Sequence, residues 1–187
     1  NNTQISLPYG RHTLCEEDIS AVETVLRSAF LTQGPVVPAF EEAVAAKVHA
    51  AYGVAVNSAT SALHVACLAM GLGPGDCMWT SPITFVASAN CGRYCGADVD
   101  FVDIEPSTGL MSIQALEQKL QEAELTGTLP KLLVPVHLTG ASCDMHAIGM
   151  LAQRYGFSIL EDASHAIGGL FHGEPVGNCK HSSATVF

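Results

Sequence analysis

Three apolar stretches of the sequence end in polar side chains that could do chemistry. Glu161 and Asp162 follow "FSIL", Asn57 and Ser58 follow "GVAV", and His137 follows "LLVPV". Because parallel strands run in the same direction, residues that follow them lie at the same edge of the sheet, where the strands have their carboxyl ends. Open α/β sheets bind ligands at that edge. A carboxylate there costs free energy unless it meets a cation or several donors, so the pattern predicts a polar ligand site.

The stretch "NSATSA" indicates how this site would bind an anion. A helix that starts near Thr60 has free backbone N–H groups and the positive end of its dipole in its first turn. The small residues around this start let an anion approach those groups closely: Ser58, Ala59, Ser61 and Ala62. The alternative is an ordinary helix cap, since Ser, Thr and Asn begin most helices without binding a ligand.

Asp162 is the candidate for the other half of the site. An isolated Asp at this position most often caps the next turn, here "ASHAIG". Beside a phosphate-binding helix start, the carboxylate can instead hold a proton on a heteroaromatic nitrogen, as pyridoxal phosphate requires. That cofactor also needs an apolar plate, which Phe85 can supply, and a donor to its phenolic oxygen, which His165 can supply. His137 has an alternative role as a satisfied strand-end histidine.

The remaining motifs do not indicate a dinucleotide or metal site. The glycines of "GLGPGD" follow a predicted helix and precede a strand, whereas the dinucleotide fingerprint follows a strand and opens a helix. Zinc sites need two close ligand pairs, and the pairs Cys91–Cys95 and Cys179–His181 have no matching second half. We therefore predict no metal site and interpret the cysteines as mostly small buried hydrophobic residues.

Composition and charge exclude several classes of protein. The 187 residues are 48% hydrophobic and 14% charged, which argues against a disordered chain and favours one domain. The net charge of −10, with only 8 Lys and Arg residues, argues against a surface that binds nucleic acid. No apolar run approaches the ~18 residues of a membrane span, and "NNTQISLPYG" does not have the pattern of a signal peptide. We expect a cytoplasmic protein without membrane contact.

The elements that must position these residues alternate between helix and strand. A helix is predicted after a capping box of Thr13 and Glu16, and a second helix follows a linker that ends in Pro38. Further helices are expected in "ATSALHVACLAMG" and "TFVASANCGRYCG", and after caps at Ser112 and Asp144. Strands are expected in "GVAVNS", "CMWTS", "DVDFVDIE", "KLLVPVHL" and "FSILEDA", followed by a hairpin and the start of a strand in "SSATVF". This order predicts an α/β fold, with a three-layer, mostly parallel sheet and helices on both faces.

Five blocks of the chain, in order, resemble the DegT-type sugar aminotransferases. The blocks are "FLTQGPVVPAFEEAVAA", "VAVNSATSALHVACLAMGLGPGD", "TSPITFVASANCGRYCGADVDFVDIEP", "PVHLTGASCDM" and "ILEDASHAIGG". That family is a branch of the aspartate-aminotransferase fold of pyridoxal-phosphate enzymes. The resemblance implies that residues 1–187 are the N-terminal part of the large, cofactor-binding domain, and that the small C-terminal domain is absent. It also implies that a strand between the first and last strands is missing, which predicts a gap in the sheet.

The resemblance further implies how the cofactor would be bound. Thr60 and Ser61 would bind the phosphate through backbone N–H groups, and Phe85 would stack on the ring. Asp162 would keep the ring nitrogen protonated and His165 would donate to the phenolic oxygen, which makes these two the candidate catalytic residues. The full set of cofactor-binding residues would be Ala59, Thr60, Ser61, Phe85, Asp162 and His165.

By the same resemblance, the substrates would be a nucleotide sugar and an amino donor, with glutamate expected as the donor. The parent reaction would convert a 4-keto sugar nucleotide into its 4-amino form, for pseudaminic acid or a related surface glycan. The parent protein is expected to be a homodimer. The nucleotide-sugar pocket, near the dimer interface, would include Tyr9, Ala29, Phe30, Leu31 and Thr32.

One departure from the family pattern affects the expected activity. The family's Schiff-base lysine lies a few residues beyond the strand that "SSATVF" begins, and this chain ends at Phe187. None of its lysines stands in that context: Lys47, Lys119, Lys131 and Lys180. We therefore expect the chain alone to be an inactive piece of a transaminase. Two alternatives stay open: a sugar 3-dehydratase of the same family, in which histidine replaces the lysine, and a remnant that acts only through a partner.

Overall fold

The computed structural model describes residues 12–187. The chain contains two compact units, Asn1–Phe40 and Glu41–Phe187, and the first is described from residue 12 onward. Within residues 12–187, no helix has the length and apolarity that a membrane span requires.

Helix α1, Glu16–Leu26, is the main element of the first unit. Its N-cap is Cys15, whose backbone N–H donates a hydrogen bond to the Asp18 carboxylate at 2.9 Å. The predicted capping box of Thr13 and Glu16 is therefore wrong. None of the residues of α1 is buried, so its apolar stripe is exposed.

Helix α2, Val36–Val48, begins in the first unit and ends in the second. The predicted linker ends at Pro38, whereas the structure places Pro38 in the first turn of α2. Proline is tolerated there because the N–H groups of a first turn have no partner within the helix. In the second unit, Ala45 and Val48 of α2 are buried.

Five strands of the described residues form a parallel sheet in the second unit. The strands are β1 Cys77–Thr80, β2 Asp98–Phe101, β3 Leu132–Val134, β4 Ser158–Asp162 and β7 Ala184–Val186. Their order across the sheet is β2-β1-β3-β4-β7, and each neighbouring pair is parallel. The predicted hairpin is formed by two short antiparallel strands, β5 Leu170–Phe171 and β6 Glu174–Pro175.

Helices of the second unit cover both faces of this sheet. They are α3 Ala59–Ala69, α4 Ala87–Tyr94, α5 Ile113–Thr126 and α6 Met145–Tyr155. Helices α3 and α4 pack in a core with Leu160, whereas α5 and α6 pack in a second core with Ile159. Because side chains alternate along a strand, these two neighbours in β4 face opposite sides of the sheet. The arrangement confirms the predicted three-layer α/β fold.

The predicted caps of α5 and α6 are confirmed. Ser112 Oγ accepts a hydrogen bond from the Ala115 N–H at 3.2 Å, and Asp144 Oδ1 accepts one from the Ala147 N–H at 3.0 Å. Each bond satisfies an N–H group that the first turn of a helix leaves without a partner.

The predicted strand in "GVAVNS" is wrong. Residues 53–58 belong to no strand, and the Ala55 N–H donates to the Glu41 carboxylate at 2.7 Å instead of to a neighbouring strand. Among residues 12–187, no strand pairs with the outer side of β7, so this apolar stretch has no ladder to join. Val54 is consequently 80% exposed.

Gly92 allows α4 to approach β1 and β2 closely. A Cβ atom at Gly92 would lie 2.8 Å from Met78 Cε and 2.9 Å from Val99 Cγ2. We expect Gly92→Val to lower the free energy of unfolding by about 1–3 kcal/mol, because the core has no room for the added atoms. Urea denaturation of the variant checks this. The matched control is Gly73→Val, where an added Cβ meets nothing within 4 Å; equal losses in both variants would contradict the tight packing at Gly92.

Candidate functional site

Asp162 is the last residue of β4, and its side chain lies on the face that carries α3 and α4. Side chains alternate along β4, so Asp162 projects to the same side as Leu160. The core around Leu160 contains Leu63 of α3 and Cys91 of α4. Only 5% of Asp162 is exposed. The structure therefore places this carboxylate, buried, at the carboxyl end of a parallel sheet.

Three hydrogen bonds hold the Asp162 carboxylate. Ser88 Oγ donates to Oδ2 at 2.6 Å, and Ser164 donates to Oδ1 through its Oγ at 2.7 Å and its N–H at 3.3 Å. Asp162 thus caps the next turn, as the ordinary alternative predicts, but it also bonds a distant helix. None of the ion pairs among residues 12–187 includes Asp162, so this carboxylate has no cationic partner among those residues. A cationic ligand would complement this buried carboxylate.

The start of α3 presents two backbone amides that can bind an anion. Ser58 is the N-cap, and its Oγ accepts a hydrogen bond from the Ser61 N–H at 3.2 Å. The N–H groups of Ala59 and Thr60 cannot bond within the helix, and among residues 12–187 they donate to no acceptor. Of the two predicted phosphate ligands, the amide of Thr60 is therefore open, as is that of the neighbouring Ala59, whereas the amide of Ser61 is engaged by Ser58.

Phe85 lies in the segment that links the carboxyl end of β1 to α4, and 72% of it is exposed. The predicted start of α4 at Thr84 is wrong, since the helix begins at Ala87. The preceding residues form a tighter turn, in which the Phe85 carbonyl accepts the Ser88 N–H at 3.1 Å. This turn leaves the aromatic ring on the surface, at the edge of the sheet where the parallel strands have their carboxyl ends.

His165 lies in the exposed turn that follows β4, at the same edge of the sheet as Asp162. The backbone of this turn packs against the short 3-10 helix Leu138–Gly140. Gly140 has a φ of +91°, and a Cβ atom there would lie 2.9 Å from the His165 carbonyl oxygen. The close approach of two backbones therefore requires glycine at this position.

Ser88 is a site residue that the sequence interpretation missed. It is fully buried in the first turn of α4, and its hydroxyl reaches Asp162, which is 74 positions away in the chain. The one available signal was its place three residues after Phe85 in "TFVASAN", but a serine near a helix start is usually only a local cap.

Glu161 projects to the opposite face of β4 and pairs with His137. His137 Nε2 lies 2.7 Å from Glu161 Oε2, and both residues are buried. The Cys143 N–H donates to His137 Nδ1 at 3.2 Å, so the imidazole proton lies on Nε2 and is donated to Glu161. The hydroxyls of Ser182 and Thr185 donate to the other carboxylate oxygen. His137 is thus the satisfied strand-end histidine of the alternative interpretation.

These hydrogen bonds control the ionisation of Glu161. Burial raises the pKa of the Glu161 carboxyl, but the bonds from His137, Ser182 and Thr185 outweigh burial and hold the pKa below its ordinary value of 4.5. The carboxylate is therefore charged in the folded protein at neutral pH.

A cavity of about 590 Å³ lies on the α6 side of the sheet. Its lining includes Glu161, His146, His181 and Lys180, and it contains none of the predicted cofactor-binding residues. Within residues 12–187, no group of three or more His, Cys, Asp or Glu side chains is placed to hold a metal ion. The predicted cofactor-binding residues therefore lie outside this cavity.

The predicted sugar-binding residues belong to the first unit. They occupy the exposed, irregular segment between α1 and α2: Ala29, Phe30, Leu31 and Thr32. Locally, Ser28 Oγ donates to the Phe30 carbonyl at 3.1 Å, which forms a small turn in this segment. Tyr9 lies outside the described residues.

Comparison with known proteins identifies a family for nearly the whole chain. The sequence profile of the DegT/DnrJ/EryC1/StrS aminotransferase family matches residues 12–187. A UDP-4-amino-4-deoxy-L-arabinose–oxoglutarate aminotransferase of Shewanella sediminis is 37% identical over 171 residues, which are 91% of this chain and 42% of that protein. The spore coat polysaccharide biosynthesis protein SpsC of Bacillus subtilis is 41% identical over 181 residues, which are 97% of this chain and 45% of that protein.

Solved structures share the fold. An aminotransferase of pseudoaminic acid biosynthesis from Helicobacter pylori superimposes with a TM-score of 0.83 at 32% identity, over 91% of this chain and 44% of that chain. A protein of Streptococcus pneumoniae in its PLP form superimposes with a TM-score of 0.84 at 27% identity, over 97% of this chain and 48% of that chain. The chain thus spans less than half the length of each of these relatives.

Glu161 predicts a pH-dependent contribution to stability. Because its folded-state pKa is lowered, the stabilisation is present above the unfolded-state pKa near 4.5 and is lost as the pH falls through the folded-state pKa. We expect Glu161→Gln to lower the free energy of unfolding by about 2 kcal/mol at pH 7, since it removes a buried charged hydrogen-bond acceptor. The difference from the wild type should shrink as the pH falls below 4.5.

Chemical denaturation of both proteins between pH 3.5 and pH 7 would measure this difference. The control is Glu124→Gln, which removes an exposed carboxylate from α5 and should change stability little at any pH. A Glu161→Gln deficit that stayed constant across this pH range would contradict the assignment of a lowered pKa to Glu161.

Proposed function

The chain belongs to the DegT/DnrJ/EryC1/StrS aminotransferase family, and we propose that it is the N-terminal part of the large domain of a pyridoxal-phosphate-dependent sugar aminotransferase. The observation that carries this proposal is the Asp162 carboxylate. It is buried at the ligand edge of a parallel sheet, and the groups that bond it are neutral hydroxyls and an amide. A protonated ring nitrogen would supply the cation that the described residues do not.

The donor set around Asp162 fits the ring of the cofactor. Oδ2 accepts one hydrogen bond, from Ser88, so a lone pair of this oxygen remains for a ring N–H. A carboxylate in this position favours the protonated ring nitrogen and orients the ring toward the crevice. When bound, pyridoxal phosphate supplies the electron sink that amino-group transfer needs.

The start of α3 fits the phosphate of the same molecule. The open N–H groups of Ala59 and Thr60 point out of the first turn of α3, where the helix dipole favours an anion. In this proposal Ser61 adds its N–H only if the ligand displaces Ser58 Oγ, whose bond to it is long at 3.2 Å. No lysine cluster is needed, since backbone groups and the dipole supply the attraction.

Two further residues complete the proposed site. The exposed ring of Phe85 can lie against the cofactor ring and shield it from water, and His165 can donate a hydrogen bond to the phenolic oxygen. A third observation also supports a polar ligand here. The Ser81 hydroxyl, directly after β1, is buried and has no hydrogen-bond partner among the described residues. Buried hydroxyls are nearly always bonded, so a partner from outside these residues is expected.

For the substrates, we propose a 4-keto sugar nucleotide and glutamate as the amino donor. Support comes from relatives that are named for a UDP-4-amino sugar and for pseudoaminic acid biosynthesis. The product would be the 4-amino sugar nucleotide, used for pseudaminic acid or a related surface glycan. Residues Ala29, Phe30, Leu31 and Thr32, with Tyr9, would contribute to the sugar pocket. The exposed apolar stripe of α1 is consistent with a homodimer in which this unit becomes covered.

Pyridoxal phosphate binding tests the role of Asp162. We expect Asp162→Asn to weaken binding about tenfold or more, because a hydrogen bond to a charged group is worth about 1.5–3 kcal/mol. Isothermal titration calorimetry of the chain measures the affinity. Asp98→Asn makes the same chemical change at the opposite edge of the sheet and should leave binding unchanged. Equal affinities of Asp162→Asn and the wild type would remove the proposal's main support.

A second experiment tests whether residues 1–187 catalyse the reaction alone. Lys119 and Lys131 are engaged with Asp100 and Asp76, at 2.6 Å and 2.8 Å, and Lys180 lines the cavity on the α6 side. Because none of the four lysines stands in the sequence context of the family's Schiff-base lysine, we expect no 2-oxoglutarate from glutamate and a UDP-4-keto sugar. A coupled dehydrogenase assay detects that product, with a full-length relative as the positive control. Turnover by the chain alone would overturn this expectation.

A further inference from the structure

We propose that Ser88 is a positioning residue for the cofactor ring, and that it acts as the middle member of a hydroxyl relay from Thr84 to Asp162. This inference rests on the proposed function, because it concerns how Asp162 would be held against a ring nitrogen. Thr84 Oγ1 lies 2.7 Å from Ser88 Oγ, and Ser88 Oγ lies 2.6 Å from Asp162 Oδ2. The relay therefore joins the turn before α4 to the end of β4.

The direction of the protons in this relay follows from the carboxylate. An ionised carboxylate has no proton to give, so the Ser88 hydroxyl donates to Asp162. A serine hydroxyl has only one proton, and the bond of 2.6 Å uses it. The Thr84 hydroxyl must then donate to Ser88 Oγ. Aligned hydroxyls polarise one another, so Thr84 strengthens the bond that Ser88 makes.

The relay restricts rotation of the Asp162 side chain. Ser88 holds Oδ2, while Ser164 holds Oδ1 through its hydroxyl and its N–H. Rotation of the carboxylate would break bonds at both oxygens in a buried setting, where unpaired polar groups are costly. With these bonds in place, the carboxylate is oriented before any ligand arrives. Such preorganisation lowers the entropic cost of binding.

The relay also connects the carboxylate to the turn that carries Phe85, whose ring is proposed to stack on the cofactor. The Phe85 carbonyl accepts the Ser88 N–H at 3.1 Å, and the neighbouring Thr84 is the first donor of the relay. Ser88 is therefore bonded both to Asp162 and to the turn that carries the Phe85 ring. It fixes the spacing between the group that would pair with the ring nitrogen and the group that would stack on the ring face.

The test compares two ligands that differ only at the ring nitrogen. The chain is titrated by calorimetry with pyridoxal phosphate and with its 1-deaza analogue, in which a C–H replaces that nitrogen. The wild type should prefer pyridoxal phosphate, because only this ligand pairs with Asp162. Ser88→Ala should reduce the affinity for pyridoxal phosphate about tenfold and leave that for the analogue nearly unchanged, because the Asp162 carboxylate would then have to be ordered when the ligand binds.

Two matched variants separate positioning from stability. Ser88→Thr keeps the hydroxyl and should restore the preference for pyridoxal phosphate. Thr84→Val nearly keeps the shape of the side chain but removes the hydroxyl that donates to Ser88. It should reduce the preference for pyridoxal phosphate about threefold, which is less than the effect of Ser88→Ala. A purely structural role of Ser88 would instead lower the affinities for both ligands by the same factor.

The outcomes distinguish this inference from the function on which it rests. If the wild type prefers pyridoxal phosphate and both Ser88→Ala and Thr84→Val keep that preference, the relay is overturned while the cofactor assignment stands. If the wild type binds the two ligands equally, the pairing of Asp162 with a ring nitrogen is overturned, and the relay with it. The relay is supported if Ser88→Ala selectively loses affinity for pyridoxal phosphate and Ser88→Thr restores it. If Ser88→Ala does not fold, a selective loss in Thr84→Val, with the preference kept in Ser88→Thr, supports the relay instead.

Discussion

The central constraint in this protein is a buried carboxylate that meets no cationic side chain among residues 12–187. Asp162 remains stable at the end of β4 because Ser88 and Ser164 supply three donors, which offset part of the cost of burying its charge. The donors come from two different parts of the fold, so the helix α4, the turn after β4 and the sheet must all be in place together. The same arrangement leaves a site that a cationic group can occupy.

The two adjacent carboxylates at the end of β4 show how strand geometry places neighbouring side chains in different surroundings. Glu161 faces α6 and bonds His137, Ser182 and Thr185, so its hydrogen-bonding capacity is used within the protein. Asp162 faces the opposite side, where its partners among residues 12–187 are neutral donors. Because side chains alternate along a strand, one dipeptide can stabilise the fold on one face and present a charge to a ligand on the other.

Much of the fold could be predicted from the sequence, and the errors have different causes. The caps of α5 and α6 were predicted correctly because a cap depends on residues three positions apart. The segment 53–58 was wrongly predicted as a strand because its apolar alternation fits a strand, but a strand also requires a partner to pair with. Thr13 was wrongly chosen as a cap because two acidic side chains compete for the start of α1, and only the geometry shows that Asp18 reaches the backbone.

The sequence by itself determined the alternation of helices and strands, the open amides at the start of α3 and the position of an acidic pair at a strand end. These features depend on residues that are close in the chain, so local patterns specify them. Only the tertiary structure decided that His137 is engaged by Glu161 and that Ser88 lies against Asp162. Those contacts join residues 24 and 74 positions apart, and they form only when the sheet and its helices pack.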